Sequence, residues 1–522
     1  MRTLIKNGNV IDGTGKPSYK ADLLIEEGFI VSVSKQISAK ADRVIDASGN
    51  IVCPGFMDMH AHSDLEVLRD PSMHHKISQG ITFDLSGNCG TGVFPRRPDD
   101  SPAFADILGH YPDWTWTDFP SYTKLIRSAM NIAFLQSHGM LRMRAIEGNP
   151  NRAATGAEVR KMCELLDNSL SQGCLGLSSG LYYAPNMYAD RDEILALLRV
   201  VKKHNALFCV HHRCEGDFIL SSVDEVLDYA RETDVKLEIS HLKAIGTKNQ
   251  KYVDEVLGKI HSARDAGLDV AFDQYPYEYG STSLYSLLPP SLLRKSREDL
   301  VRCLEKALSD PDYRKKLTNE IEHPDGWDSV IELCGFDNIS IAVLETNMQY
   351  RGLTLTQCAE KMGCDCYEAL LRLLIEEKGS ALMFDITQST ENLIKIMKDD
   401  LMCFGTDALY TGNVAHPRSS SAAIHILDVF CKQKRIFTFE EMINRMTGRV
   451  AERTSLTDRG CIAEGKKADI VVFDPVTLRD NSSAWDPYAE PSGIKEVLVN
   501  GNNAFESLSG EVARASQGYR NP

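Results

Sequence analysis

Short apolar runs alternate with helix-period segments through the middle of the chain. Eight runs read as strands, at 56–62, 81–85, 132–135, 174–178, 207–211, 236–241, 270–275 and 401–407. Between them, apolar residues recur at helical spacing, as in 157–172 and 192–204. Strand and helix in repetition make a parallel sheet, because parallel neighbours need a long crossover return. Eight such units predict an α/β fold, a (β/α)8 TIM-like barrel. A doubly wound open sheet is the competing arrangement.

The ends have a different texture. Residues 3–5, 22–25 and 29–33 are β-rich, punctuated by Asn7-Gly8, Asp12-Gly13 and Glu27-Gly28. Residues 468–475 and 496–501 repeat that pattern near the other end. Neither end is long enough to bury a core alone. The prediction is one small β-sandwich domain built from 1–53 and 456–522, around a barrel at 54–455; two separate β appendages are the alternative. About 125 residues lie between Tyr275 and Leu401, far more than a strand-to-strand loop takes. The polar, irregular part of that span, 281–345, reads as an inserted lid over the strand ends. Residues 358–377 then read as one amphipathic helix.

The strand ends hold the chemistry. In 56–62, His60 and His62 are two apart, so both project from one face and can share a metal ion. Alone, His-x-His matches by chance. Here Asn88-Cys89 follow the second strand and His138 the third, while His211, His241 and Asp407 close the fifth, sixth and eighth. Barrel enzymes build their sites at these ends, so one metal centre accounts for the whole set better than separate surface histidines do.

Composition narrows the class. The 522 residues are 25% charged with a net charge of −15. No Lys/Arg block offers a nucleic-acid footprint, and the acidity disfavours anionic lipid. No apolar run approaches the roughly 20 residues of a membrane span, and no signal-like layout opens the chain. Fourteen cysteines without such a signal point to free thiols in the cytoplasm. The oligomeric state is left open.

The set of strand-end ligands resembles the amidohydrolase superfamily. Many of its members bridge two metals with a carboxylated lysine on strand four. This chain has Leu177-Ser178-Ser179-Gly180-Leu181 there, without lysine. Cys89 in Ser86-Gly87-Asn88-Cys89-Gly90 is placed to bridge instead, which is the mark of the D-aminoacylase (N-acyl-D-amino-acid deacylase) group. Ser179-Gly180-Leu181-Tyr182-Tyr183-Ala184-Pro185, His211-His212-Arg213-Cys214-Glu215, Ser240-His241-Leu242-Lys243, Tyr275-Pro276-Tyr277 and His416-Pro417-Arg418 are similar to that group as well, although Ala408 stands where a glycine is expected.

The resemblance implies zinc held tightly by Cys89, His211 and His241, with a second, weaker metal on His60, His62 and Cys89. It implies Asp407 as proton shuttle and His212 facing away. Lys243, Tyr275, Ser281 and Arg418 are the implied ligands of the substrate carboxylate. His138, after strand three, is a candidate for positioning the substrate, with a structural role as the alternative. The implied reaction is amide hydrolysis of an N-acyl-D-amino acid, or of a dipeptide ending in a D-residue. A cyclic amide hydrolase of hydantoinase or dihydroorotase type and a catalytically silent scaffold are the alternatives. The D preference comes from the resemblance alone.

Overall fold

The computed structural model describes residues 1–97, 104, 108, 109, 111–378, 381–410 and 416–514. Eight parallel strands form the centre in sequence order: Phe56–Asp58, Ile81–Ser86, Asn131–Ser137, Gly176–Gly180, Leu207–His211, Lys236–Ile239, Val270–Gln274 and Met402–Phe404. They are barrel strands one to eight below. Strand one stops at Asp58, four residues before the predicted end. Its continuation still closes the barrel: the Met59 N–H donates to the Phe404 carbonyl at 2.9 Å, and Ala61 pairs with Ala408. The open-sheet alternative is thereby excluded. Helices Gly156–Ser171 and Arg191–Lys203 lie where the periodicity places them. Their apolar stripes, with Leu166, Leu170, Leu197 and Val201, pack into the main core.

Both chain ends contribute to one eight-stranded sheet. Ile51–Pro54 runs beside Arg2–Val10 on one side and Ile470–Phe473 on the other. One face of the sheet shares a core in which Ile5, Leu23, Val52, Ile470 and Leu498 meet. Asp469 fastens it to the barrel by accepting from Asn131 on strand three at 3.0 Å and from Arg459 at 3.1 Å. The chain then returns to the barrel near its end, where the Ala513 N–H donates to the Ile132 carbonyl.

The segment after strand seven differs from the expectation of an irregular 281–345. It runs from Tyr279 to Ile386, and most of its described residues lie in strands and helices. Tyr279–Ser283, Leu382–Ile386 and Ile339–Val343 form a three-stranded antiparallel sheet. Helices such as Arg297–Ser309 and Pro311–Glu322 surround a core of their own, including Leu300, Leu304, Ile321, Ile339 and Leu374. Those helices show one narrow apolar stripe within a charged sequence, and average polarity conceals it. The helix predicted at 358–377 is two helices, Leu355–Met362 and Cys366–Glu377. Gly363 ends the first in the left-handed conformation, and the Asp365 side chain caps the second. Among the described residues, no helix is long and apolar enough to cross a membrane.

At the base of the barrel, Arg453 donates to buried Glu238 of strand six at 2.7 Å and pairs with Asp269. Removing the guanidinium takes the hydrogen-bond partner from Glu238, whose pKa burial already raises to about 8, and from Asp269, at a cost of about 1–3 kcal/mol. Arg453→Met is therefore expected to lower Tm by several degrees in calorimetry. Lys161→Met, at the exposed pair with Glu164, is expected to leave Tm unchanged.

Candidate metal centre

The predicted ligands converge at the C-terminal mouth of the barrel. Cys89 Sγ lies 3.3 Å from His60 Nε2, 3.5 Å from His241 Nε2 and 3.9 Å from His211 Nδ1. His211 Nδ1 and His241 Nε2 are 2.8 Å apart. Asp407 Oδ1 faces the other two imidazoles, 3.2 Å from His62 Nε2 and 3.5 Å from His60 Nε2. The facing atoms of His60, Cys89, His241 and Asp407 all fall within 4.8 Å of one another. All five metal candidates are buried.

The backbone is bent to achieve this. Cys89, His241 and Asp407 have φ of 51°, 34° and 52°, the left-handed region that side chains other than glycine rarely occupy. Hydrogen bonds hold two of the bends: the Asp407 N–H donates to the His60 carbonyl at 2.7 Å, and the His241 N–H to Asp273 at 2.9 Å. Gly180 accounts for the lysine-free fourth strand in part. A Cβ there would meet the Cys89 carbonyl at 2.2 Å, so the loop that carries the thiol occupies that space.

Outer groups fix the rings. His60 Nδ1 lies 3.1 Å from Asp273, His241 Nδ1 3.2 Å from Glu215 and His62 Nδ1 3.2 Å from the Thr91 hydroxyl. With these partners each ring turns Nε2 into the cluster, the arrangement that metal-binding histidines adopt. Beneath, fully buried Lys76 binds Asp58 and lies 3.1 Å from Asp84, joining the ends of strands one and two. Asp58 in turn accepts from the His60 and Thr406 N–H groups.

The charges suit a cation. Burial would raise the Cys89 pKa, but His60 and His241 outweigh it and hold the thiol well below its ordinary value. Burial also works against the charge on Asp407, but Arg418 and His62 keep it well below the carboxylate range. Burial lowers the His62 pKa, whereas Asp407 and Cys89 lift it further, to about 9. A proton is thus favoured at this end, and a metal bound here would displace it.

Lys243, Tyr275, Ser281 and Arg418 line one small cavity beside the cluster, of about 50 Å³. Arg418 pairs with Asp407 Oδ2 at 2.8 Å, donates to the Ser281 carbonyl at 3.1 Å and stacks 5.0 Å over the Tyr275 ring. Its buried Nε has no hydrogen-bond partner. Lys243 is held by Glu215 at 2.7 Å. His138 does not line this cavity. Both its nitrogens are engaged, by Ser179 at 2.9 Å and Glu193 at 2.8 Å, and Arg142 completes that buried network. With both ring nitrogens engaged, the contacts favour the structural alternative for His138. His212 turns away, towards Ser222.

Several functional neighbours escaped the sequence reading. Asp273 lies one residue beyond the apolar run of strand seven, and its position among the strand ends was the available signal. Glu215 stood inside a quoted motif without a role. Lys76, in a short helix between strands one and two, gave no signal at all.

The amidohydrolase family profile matches residues 43–289 and 382–505, and its gap falls within the inserted segment. N-acyl-D-glutamate deacylase of Alcaligenes xylosoxydans xylosoxydans is 32% identical over 507 residues, spanning 96% of this chain and 93% of that protein. Among solved structures, N-acyl-D-glutamate deacylase from Bordetella bronchiseptica, complexed with zinc and a phosphonate mimic of the tetrahedral intermediate, is similar with a TM-score of 0.85 and 31% identity. The match covers 98% of this chain and 99% of that one. A D-aminoacylase whose structure addresses its binuclear metal centre gives a TM-score of 0.83 at 28% identity, with the same coverage. Sequence profile, full-length likeness and barrel architecture agree: this chain belongs to the amidohydrolase family.

Proposed function

We propose that the chain is a zinc-dependent hydrolase of N-acyl-D-amino acids, releasing a carboxylate and the free D-amino acid. The triangle of Cys89, His211 and His241 carries the reading. Ligand atoms at tetrahedral positions around zinc stand about 3.3–3.6 Å apart, given Zn–N of about 2.0–2.1 Å and Zn–S of about 2.3 Å. The sulfur-to-nitrogen separation of 3.5 Å falls in that range, and that of 3.9 Å lies a little beyond it. The two nitrogens, 2.8 Å apart, would have to open by about half an ångström to hold the ion. His60, His62 and Cys89 make the second, weaker site, with Asp407 facing it. Zinc supplies an acidified water and a polarised carbonyl when bound.

The chain's own groups do the rest. Asp407 accepts the proton of the attacking water and returns it to the leaving nitrogen. Arg418 offers a planar fork to the substrate carboxylate, and its unpartnered Nε is a donor awaiting an acceptor. Tyr275 and Ser281 frame the same end, and Lys243, held in place by Glu215, lines it as well. The preference for the D-form rests on the likeness to the deacylases. All fourteen cysteines are free thiols, which suits the cytoplasm.

Zinc-loaded protein is expected to release amine from N-acetyl-D-amino acids and none from their L-forms, and to lose that activity to a chelator and regain it with zinc. Silence on both enantiomers by protein holding zinc would refute the reading. Asp407→Asn should bind the substrate with little change in KM and lose about a hundredfold or more in kcat. Near-normal kcat would remove Asp407 from proton transfer.

A further inference from the structure

The loop after barrel strand five carries Glu215. Its carboxylate lies 3.2 Å from His241 Nδ1 and accepts from Lys243 at 2.7 Å. Where that carboxylate stands therefore sets an imidazole of the zinc triangle and an ammonium of the small cavity. A loop has no strand ladder to fix its backbone, so its buried N–H groups need acceptors from elsewhere.

One side chain of the inserted segment supplies three of them. The Glu215 and Gly216 N–H groups both donate to Asp328 Oδ2 at 2.6 Å, and the Asp217 N–H donates to Asp328 Oδ1 at 3.1 Å. Asp328 is only 3% exposed, so these charge-assisted bonds are shielded from water. Leu333 presses on the same backbone. A Cβ at Gly216 would meet Leu333 Cδ1 at 2.4 Å, so the side-chain-free residue is what lets the segment approach this closely. From the strand-six side, the Ile245 N–H donates to the Glu215 carbonyl at 2.7 Å. Glu215 is thus held at both of its backbone polar groups, one of them by the inserted segment.

The path to the metal centre is short. It runs from Asp328 to the Glu215 backbone, through the Glu215 carboxylate to His241 Nδ1, and across the ring to Nε2, which faces Cys89 at 3.5 Å.

We propose that Asp328 is a positioning residue of the metal centre: acting through Glu215, it couples the docking of the inserted segment to the zinc held by Cys89, His211 and His241. The proposal rests on the zinc triangle of the deacylase reading and extends it, because the inserted segment then helps to hold the tight metal. Coupling is reciprocal, so zinc in turn tightens the segment's grip on the loop.

Zinc affinity of the metal-stripped full chain, measured by competition with a chromophoric chelator at about pH 8, tests this. Burial lifts the Asp328 pKa to about 6, so the carboxylate is charged under those conditions. E215Q should lose about 10–100-fold in affinity, as removal of a group that orients a metal-binding histidine does. D328N keeps the volume but loses the charge and one acceptor, and should cost about fivefold or more. The double variant should bind zinc as E215Q does, because Asp328 acts through Glu215. E377Q is the control. Glu377 accepts from the Glu345, Thr346 and Asn347 N–H groups, a clamp of the same kind that joins two parts of the inserted segment, and its loss should leave zinc affinity unchanged. Unchanged affinity in D328N, additive losses in the double variant, or an equal loss in E377Q would each overturn the proposal and leave the deacylase reading intact. A second measurement needs no variant: zinc should slow amide exchange at 215–217 and 327–334 more than at 345–347. Equal slowing at all three would also overturn the proposal. Unmodified protein that binds no zinc would remove the deacylase reading and the coupling with it.

Discussion

One buried thiolate organises the mouth of this barrel. Cys89 brings a negative sulfur within 4 Å of three imidazoles, each from a different strand end. An isolated charge is too costly to bury, so the sulfur is stable there only with cations around it. In the metal-free protein protonated histidines play that part, and a metal takes it over on binding. The positive-φ residues Cys89, His241 and Asp407 follow from the same demand. Each bend costs on the order of 1–3 kcal/mol, and hydrogen bonds to neighbouring strands hold those at His241 and Asp407. The outer carboxylates Asp273 and Glu215 complete the arrangement by setting ring orientation. The centre is thus an assembly of compensating charges in which no single ligand is independent of the rest.

The inserted segment ties substrate recognition to this centre. Its first strand supplies Ser281, whose carbonyl holds Arg418, and Arg418 in turn holds Asp407. Under the proposed function, the group that binds the substrate carboxylate therefore touches the group that moves the proton. His416 strengthens the link, accepting from the Arg418 N–H and meeting the Tyr279 carbonyl at 3.0 Å. A substrate carboxylate entering this corner meets a fork already oriented from two sides, which lowers the ordering cost of binding.

Much of this was legible in the sequence, for reasons that can be named. Period-two and period-3.6 patterns revealed all eight barrel strands, because buried parallel strands are nearly continuous apolar runs. His60, His62, Cys89, His211, His241 and Asp407 stood out because each sits just after such a run, where a barrel builds its site. The inserted segment was misjudged because the stripes through Leu300, Leu304 and Ile321 are narrow and flanked by charge. The choice between a substrate contact and a structural role for His138 was not legible, because its partners Ser179 and Glu193 are distant in sequence. Lys76 was invisible for a related reason: only the folded chain brings Asp58, Asp84 and Thr406 around it. Pairwise electrostatics between remote residues leaves no period to detect.

The central claim is that a thiolate from the second strand, with imidazoles from the fifth and sixth, holds the tight zinc. X-ray absorption at the zinc edge of protein loaded with one equivalent tests it directly. The account predicts a mixed first shell, with one sulfur at about 2.3 Å and nitrogens at about 2.0–2.1 Å. A shell of nitrogen and oxygen alone, with no sulfur contribution, would contradict it.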